Sequence, residues 1–112
     1  MTPYEMRART KRFAVDVIRF CRTLPRTDEG RTIGRQLLRS ATAVGANYRG
    51  VCRSRSDAEF IAKLGIVIEE LDESACWLEL LVDAEIVAKS RILSLHAEAC
   101  DADFARNGAM HG

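Results

Sequence analysis

Little in this 112-residue sequence interrupts a helix: it has two prolines, Pro3 and Pro25, and no segment with the alternation of a strand. Nor is there a run of about 18 apolar residues, which excludes a membrane-spanning helix. Arginines break up the apolar N-terminal stretch where a secretory signal needs an unbroken one, so a cytoplasmic location with no membrane partner is expected. A nucleophile elbow, a glycine-rich phosphate loop and a histidine-paired serine or cysteine are all missing. Their absence argues against an enzyme and against a bound cofactor.

Metal ligands are scarce as well. The two histidines, His96 and His111, lack the Glu-x-x-His spacing of di-metal sites in helix bundles, since Leu93 stands three residues before His96. His96 and Cys100 are one helical turn apart, but two ligands do not make a tetrahedral site, and His96 is expected at the edge of the core. The four cysteines, Cys21, Cys52, Cys76 and Cys100, are dispersed without a C-x-x-C pair. They are expected to be reduced, buried core filler.

What is present is an ordinary globular balance, 47% hydrophobic and 29% charged, enough for one domain with one modest core. The net charge of +1 conceals a division. Residues 1–55 hold 13 Lys/Arg against 4 Asp/Glu, and residues 56–112 hold 4 against 12. Such asymmetry suits either a nucleic-acid face or two halves that neutralise each other within a bundle or between subunits.

Four helices are predicted, over about 3–24, 28–52, 56–84 and 89–107. Thr2-Pro3-Tyr4-Glu5 supplies an N-cap, a proline in the first turn and a capping-box glutamate. Met6, Phe13, Val17, Phe20 and Leu24 recur at three- and four-residue steps behind it, and Pro25 stops the helix. Ser56-Asp57-Ala58-Glu59 is a second capping box. It opens the longest helix, about 29 residues or about 43 Å, with Ile61, Leu64, Ile68, Leu71, Ala75, Leu78 and Val82 as its expected core stripe. Phe60, Val67, Leu80 and Leu81 fall outside that stripe, so part of this surface is expected to meet another subunit. Ile92, Leu95, His96, Ala99 and Cys100 mark a fourth helix fraying into Asn107-Gly108-Ala109-Met110-His111-Gly112. Short connections imply an all-α, antiparallel up-and-down four-helix bundle.

The second helix is thin in its middle, at Arg39-Ser40-Ala41-Thr42-Ala43-Val44-Gly45-Ala46-Asn47-Tyr48-Arg49-Gly50. At 100° per residue, Arg35, Arg39, Thr42, Ala46, Arg49 and Arg53 fall in a band about 80° wide. Ile33, Leu37, Val44, Tyr48 and Val51 lie opposite. Small residues form both flanks, Gly34, Ala41, Gly45 and Cys52 on one and Ser40, Ala43, Asn47 and Gly50 on the other, so neighbouring backbones can approach closely. Gly34, Ala41, Gly45, Asn47 and Tyr48 are therefore the candidate helix-packing or oligomer-interface residues. Asn47 is expected to fix the register between helices.

The segment Gln36–Leu81 resembles the signature region of the bacterial four-helix bundle proteins, also called 23S ribosomal RNA intervening-sequence proteins. Arg39, Ser40, Asn47, Ser56, Glu59 and Phe60 match that family's pattern, as do Glu98 and Ala99 near the end; Gly50 departs from it. The resemblance implies a cytoplasmic homo-oligomer, a pentameric ring of bundles around a channel. It extends to the accessory variability protein of diversity-generating retroelements, a relative that assembles as a basic barrel and works with a reverse transcriptase and nucleic acid.

Fourteen of the 17 basic residues are arginine, whose planar fork suits phosphate. Arg31, Arg35, Arg39, Arg49, Arg53 and Arg55 are accordingly the candidate nucleic-acid-binding residues, for RNA or DNA, on a ridge with no base-reading motif. Two alternatives stand beside this reading. The arginines of a scaffold would pair with the acidic ridge Glu69, Asp72, Glu79 and Asp83 of another subunit, or the ridge would dock an acidic protein partner.

Overall fold

The computed structural model describes residues 2–101, and the helix expected over 102–107, the tail and His111 lie outside them. Among the described residues there are four α-helices and no strand: α1 (Pro3–Cys21), α2 (Asp28–Val51), α3 (Asp57–Asp83) and, after a 3₁₀ turn at Lys89–Arg91, α4 (Leu93–Ala99). α2 packs against α1 on one side and α3 on the other, and the short α4 closes onto α3 and α1. The result is a rod of 45 × 21 × 19 Å.

Local chemistry sets each boundary. At the start of α1 the Glu5 amide donates to Thr2 Oγ1 (3.1 Å) and the Thr2 amide donates to the Glu5 carboxylate (3.3 Å), closing the capping box. The helix ends at Cys21, three residues sooner than expected. Leu24 precedes a proline and is steered out of helical geometry, and the Thr23 and Leu24 amides turn back to Phe20 and Cys21 in tighter bonds. Thr27 caps α2 through the Gly30 amide. A Cβ on Gly30 would sit 2.5 Å from the Pro25 carbonyl oxygen, so only glycine lets the connection cross this closely. In α3, Ser56 accepts from the Glu59 amide, but only half of the box closes. The Glu59 carboxylate turns instead to Lys63 Nζ (2.7 Å) and to the Arg55 amide, which hold it below the usual carboxylate range.

The far end of α3 is closed by a Schellman motif. The Ile86 amide donates to the Leu81 carbonyl and the Glu85 amide to that of Val82, with Glu85 at φ 60° where glycine is usual. α4 is much shorter than expected. Ile92 carries no capping oxygen and sits at φ −106°, ψ −4°, which separates the 3₁₀ turn from the α-helix proper.

The core is made by Met6, Phe13, Val17 and Phe20 of α1, Leu37, Ala41, Val44, Tyr48 and Val51 of α2, and a stripe of α3 that differs from the expected one. Leu64, Val67, Leu71, Ser74, Ala75, Leu78 and Leu81 are buried there, while Ile61 is 65% exposed and Ile68 also faces outward. Two interleaved apolar stripes fit the sequence of this helix, and the buried one is the one containing a serine. Ser74 meets Ser40 of α2 at 2.8 Å, with both hydroxyls fully buried. Ser40 also reaches the Leu37 carbonyl and Ser74 that of Glu70, so the two hydroxyls form one chain ending in a backbone acceptor.

Of the four cysteines expected as core filler, only Cys21 packs against the core. Cys52, Cys76 and Cys100 are exposed and Cys21 alone is half-buried. The first three lie outside the buried stripes, where a thiol adds no packing. None is disulfide-bonded, and burial pushes the Cys21 thiol up to about 11.

Candidate nucleic-acid interface

All six candidate arginines are exposed, and none lies within ion-pair distance of a carboxylate among the described residues. They do not form one uniform strip, because α2 runs between two neighbours and its flanks face different surroundings. Arg49 leans toward α1, where it joins Arg7 and Lys11 along an open furrow of about 570 Å³ floored by Ala8, Ala14, Gly45 and Ala46. Tyr4 stands at one end of that furrow, 80% exposed. At the opposite end of α2, Arg31 and Arg35 meet Arg22 and Arg26 from the α1–α2 connection, around a second cleft of about 370 Å³. Eighteen residues of helix separate Arg31 from Arg49, about 27 Å at 1.5 Å per residue.

Arg39 sits differently, on the side of α2 nearer α3. Burial and the neighbouring Glu73 raise the Glu70 carboxyl above its ordinary range, while the Arg39 guanidinium pulls it down. Arg53 and Arg55 lie at the α2–α3 connection, and Arg55 lines a shallow cleft with Ser56, Asp57 and Phe60.

Residues outside the sequence reading therefore complete the basic surface. Arg7 and Lys11 are one helical turn apart on α1, and Arg22 and Arg26 flank the stop of that helix. Their spacing was visible, but their convergence on α2 follows from how tightly the six-residue connection folds back.

The candidate packing residues divide. Ala41 and Tyr48 belong to the core of the single chain, and burial pushes the Tyr48 phenol up to about 12. Gly34 is buried beneath Leu24, whose Cδ1 would lie 2.9 Å from a Cβ placed there, and its carbonyl accepts from the Cys21 thiol. A Cβ on Gly45 would meet the Thr10 carbonyl oxygen at 3.5 Å, ordinary contact, so the close approach does not require glycine. Asn47 is half-buried, and its side chain makes no hydrogen bond among the described residues. The polar link between α2 and α3 is made by Ser40 and Ser74.

On α3 the carboxylates Glu69, Asp72, Glu79 and Asp83 are all exposed. His96 is half-buried at the edge of α4, where its Nε2 meets Glu79 Oε2 at 2.8 Å. Cys100 Sγ lies 3.8 Å from Nε2 and 3.9 Å from Nδ1 of the same ring. Among the described residues no three potential ligands gather where they could hold a metal.

The profile of the 23S rRNA-intervening sequence proteins matches residues 3–103, nearly the whole chain. The chain belongs to that family. A crystal structure from Bacteroides thetaiotaomicron, of a protein with unknown function from the S23 ribosomal protein family, shares 27% identity with it. The superposition covers 95% of this chain and 96% of that one, with a TM-score of 0.81. No curated protein matches. Most residues that carry the intervening-sequence family likeness are architectural here. Ser40 bonds Ser74, Ser56 caps α3, Phe60 packs on the core, Glu98 accepts from Arg9, and Ala99 is buried.

Proposed function

We propose that this member of the family is a non-enzymatic homo-oligomer that binds nucleic acid through the arginine face of α2, as an adaptor without sequence readout. The observation that carries the reading is the set of six exposed arginines with no ion-pair partner among the described residues, extended by Arg7, Lys11, Arg22 and Arg26 from α1 and its connection. Unpaired guanidinium groups on a helix face are free to displace counterions from phosphates. Assembly into a ring, pentameric by family likeness, would set several such faces side by side.

Titration with RNA and DNA over a range of salt tests this. Binding should weaken linearly in log–log form, and replacing Arg35, Arg39, Arg49 and Arg53 by glutamine should flatten the duplex slope by about 3.6, four times the increment of about 0.9 per phosphate. Sedimentation should find both proteins in the same assembly, larger than the 12.5 kDa chain. Absence of binding at physiological salt, or a monomer, would overturn the corresponding half of the proposal.

One observation favours a second reading, a scaffold without nucleic acid. The outer face of α3 joins exposed Ile61, Ile66, Ile68 and Leu80 to the acidic ridge, and Trp77 Nε1 is shielded from solvent with no acceptor among the described residues. A neighbouring subunit offering arginines and small residues would suit that face. In that case the glutamine variant loses its assembly.

A further inference from the structure

The cleft at the α1–α2 end of the rod has a composition that a nucleic-acid strip does not need. Arg22, Arg26, Arg31 and Arg35 line it, no carboxylate does, and none of the four has an ion-pair partner among the described residues. Its remaining walls are apolar or small: Leu24, Leu38 and Pro25, with Gly34 leaving the space that Leu24 occupies. Cys21, also in the lining, is an uncharged thiol at neutral pH, and burial pushes it further up, to about 11, so it adds no negative charge.

Four guanidinium groups around one cleft call for a compact polyanion. A phosphodiester strand carries one charge per about 3.4 Å along its axis, spread in a line. Consecutive phosphates concentrate three or four charges within a few ångströms, and bidentate guanidinium contacts suit their oxygens. The cleft volume of about 370 Å³ lies within the range of small-ligand sites, about 300–1,000 Å³. The apolar wall beside the arginines offers a planar base a surface to lie on.

From this arrangement we infer that the cleft binds a nucleoside carrying consecutive phosphates, with Arg22, Arg26, Arg31 and Arg35 on the phosphates and Leu24 and Leu38 under the base. The same chemistry occurs in a free nucleoside triphosphate and at the 5′-triphosphate end of an RNA. The inference deepens the proposed basic face, since Arg31 and Arg35 lie on the α2 ridge and Arg22 and Arg26 extend it, by naming the ligand taken at that end.

Calorimetric titration of the full-length protein at low salt, with ATP, inorganic tripolyphosphate and adenosine, tests the cleft. ATP should bind at least several-fold more tightly than tripolyphosphate, and adenosine should not bind at millimolar concentration. Replacing Arg22 and Arg26 together by glutamine should weaken ATP at least tenfold. The Arg49→Gln, Arg53→Gln double variant, altered about 21 Å or more by helical rise from the nearest cleft arginine on α2, Arg35, should bind ATP as the parent does. A hexaribonucleotide with a 5′-triphosphate, compared with its 5′-hydroxyl form, identifies the source: much tighter binding than ATP assigns the site to RNA ends, and equal binding assigns it to the free nucleotide.

Equal weakening by both double variants, or no ATP binding at millimolar concentration, would overturn the inference. Equal affinity for ATP and tripolyphosphate would overturn the base subsite. The ridge is tested separately, because duplex binding depends on Arg39, Arg49 and Arg53 whether or not the cleft takes a nucleotide.

Discussion

At the residue scale, the two buried serines are the most consequential polar groups in the molecule. One of Ser40 and Ser74 donates to the other, and the second passes its proton to a carbonyl of its own helix, that of Leu37 or of Glu70. Ser74→Ala removes the bond between the helices and leaves the Ser40 hydroxyl the Leu37 carbonyl alone, an expected cost of about 0.5–1.5 kcal/mol. The Ser40→Ala, Ser74→Ala double variant should cost less than the two single variants together, with a coupling of about 0.5–3 kcal/mol. Urea unfolding of the four proteins measures it, and strict additivity would show that the bond does not fix the seam. Neither serine was legible as a pair in the sequence. A serine among small flanking residues looks the same whether it faces water or a partner 34 positions away. Asn47, the larger polar group, drew the expectation of a register role and does not fill it among the described residues.

At the scale of elements, helix starts were far more legible than helix ends or helix faces. Thr2, Thr27 and Ser56 act through their own side chains within three residues, and such local chemistry can be read directly. The end of α3 could not be, because its cap uses Glu85 in a left-handed conformation that a non-glycine residue seldom adopts. Glu85→Gly removes that strain and takes a carboxylate away from the negative end of a long helix, where no basic residue stands in the last turn. It should raise stability by about 1 kcal/mol, readable as a higher urea midpoint at unchanged slope. A loss of stability would mean that the Glu85 side chain makes a contact that outweighs its backbone cost. The face of α3 was misread for a different reason. Ile61 and Ile68 continue the spacing of Leu64 and Leu71 well enough to pass as core, yet the rotation of the helix is settled by the serine seam and by Val67 and Leu81.

At the scale of the whole molecule, helix count, order and all-α class followed from capping residues, Pro25 and period. The basic surface was only half visible. The ridge on α2 repeats within one element and shows in the sequence. The two clusters that Arg7, Lys11, Arg22 and Arg26 complete depend on α1 lying alongside α2, which is tertiary information. The exposed thiols were missed by the same limit, since a cysteine near an apolar run gives no sign of which side of the helix it occupies.

The ion pair at the foot of α4 bears on how fast this rod forms and comes apart. α1 pairs with α2 and α2 with α3, each helix with its neighbour in sequence, the local wiring associated with folding in microseconds to milliseconds. Arg9 departs from that wiring, its Nε donating to Glu98 Oε1 at 2.9 Å across 89 residues, with Asp101 on the same guanidinium. So distant a closure rewards the chain only after the three long helices have docked, and it belongs on the native side of the barrier. Arg9→Met should therefore leave the refolding rate nearly unchanged and speed unfolding about 5–30-fold, the kinetic equivalent of about 1–2 kcal/mol. Stopped-flow traces in which the refolding limb slows instead would place α4 in the nucleus. If only the unfolding limb moves, this one arginine acts as a latch, setting the native lifetime of a bundle whose speed of assembly it does not influence.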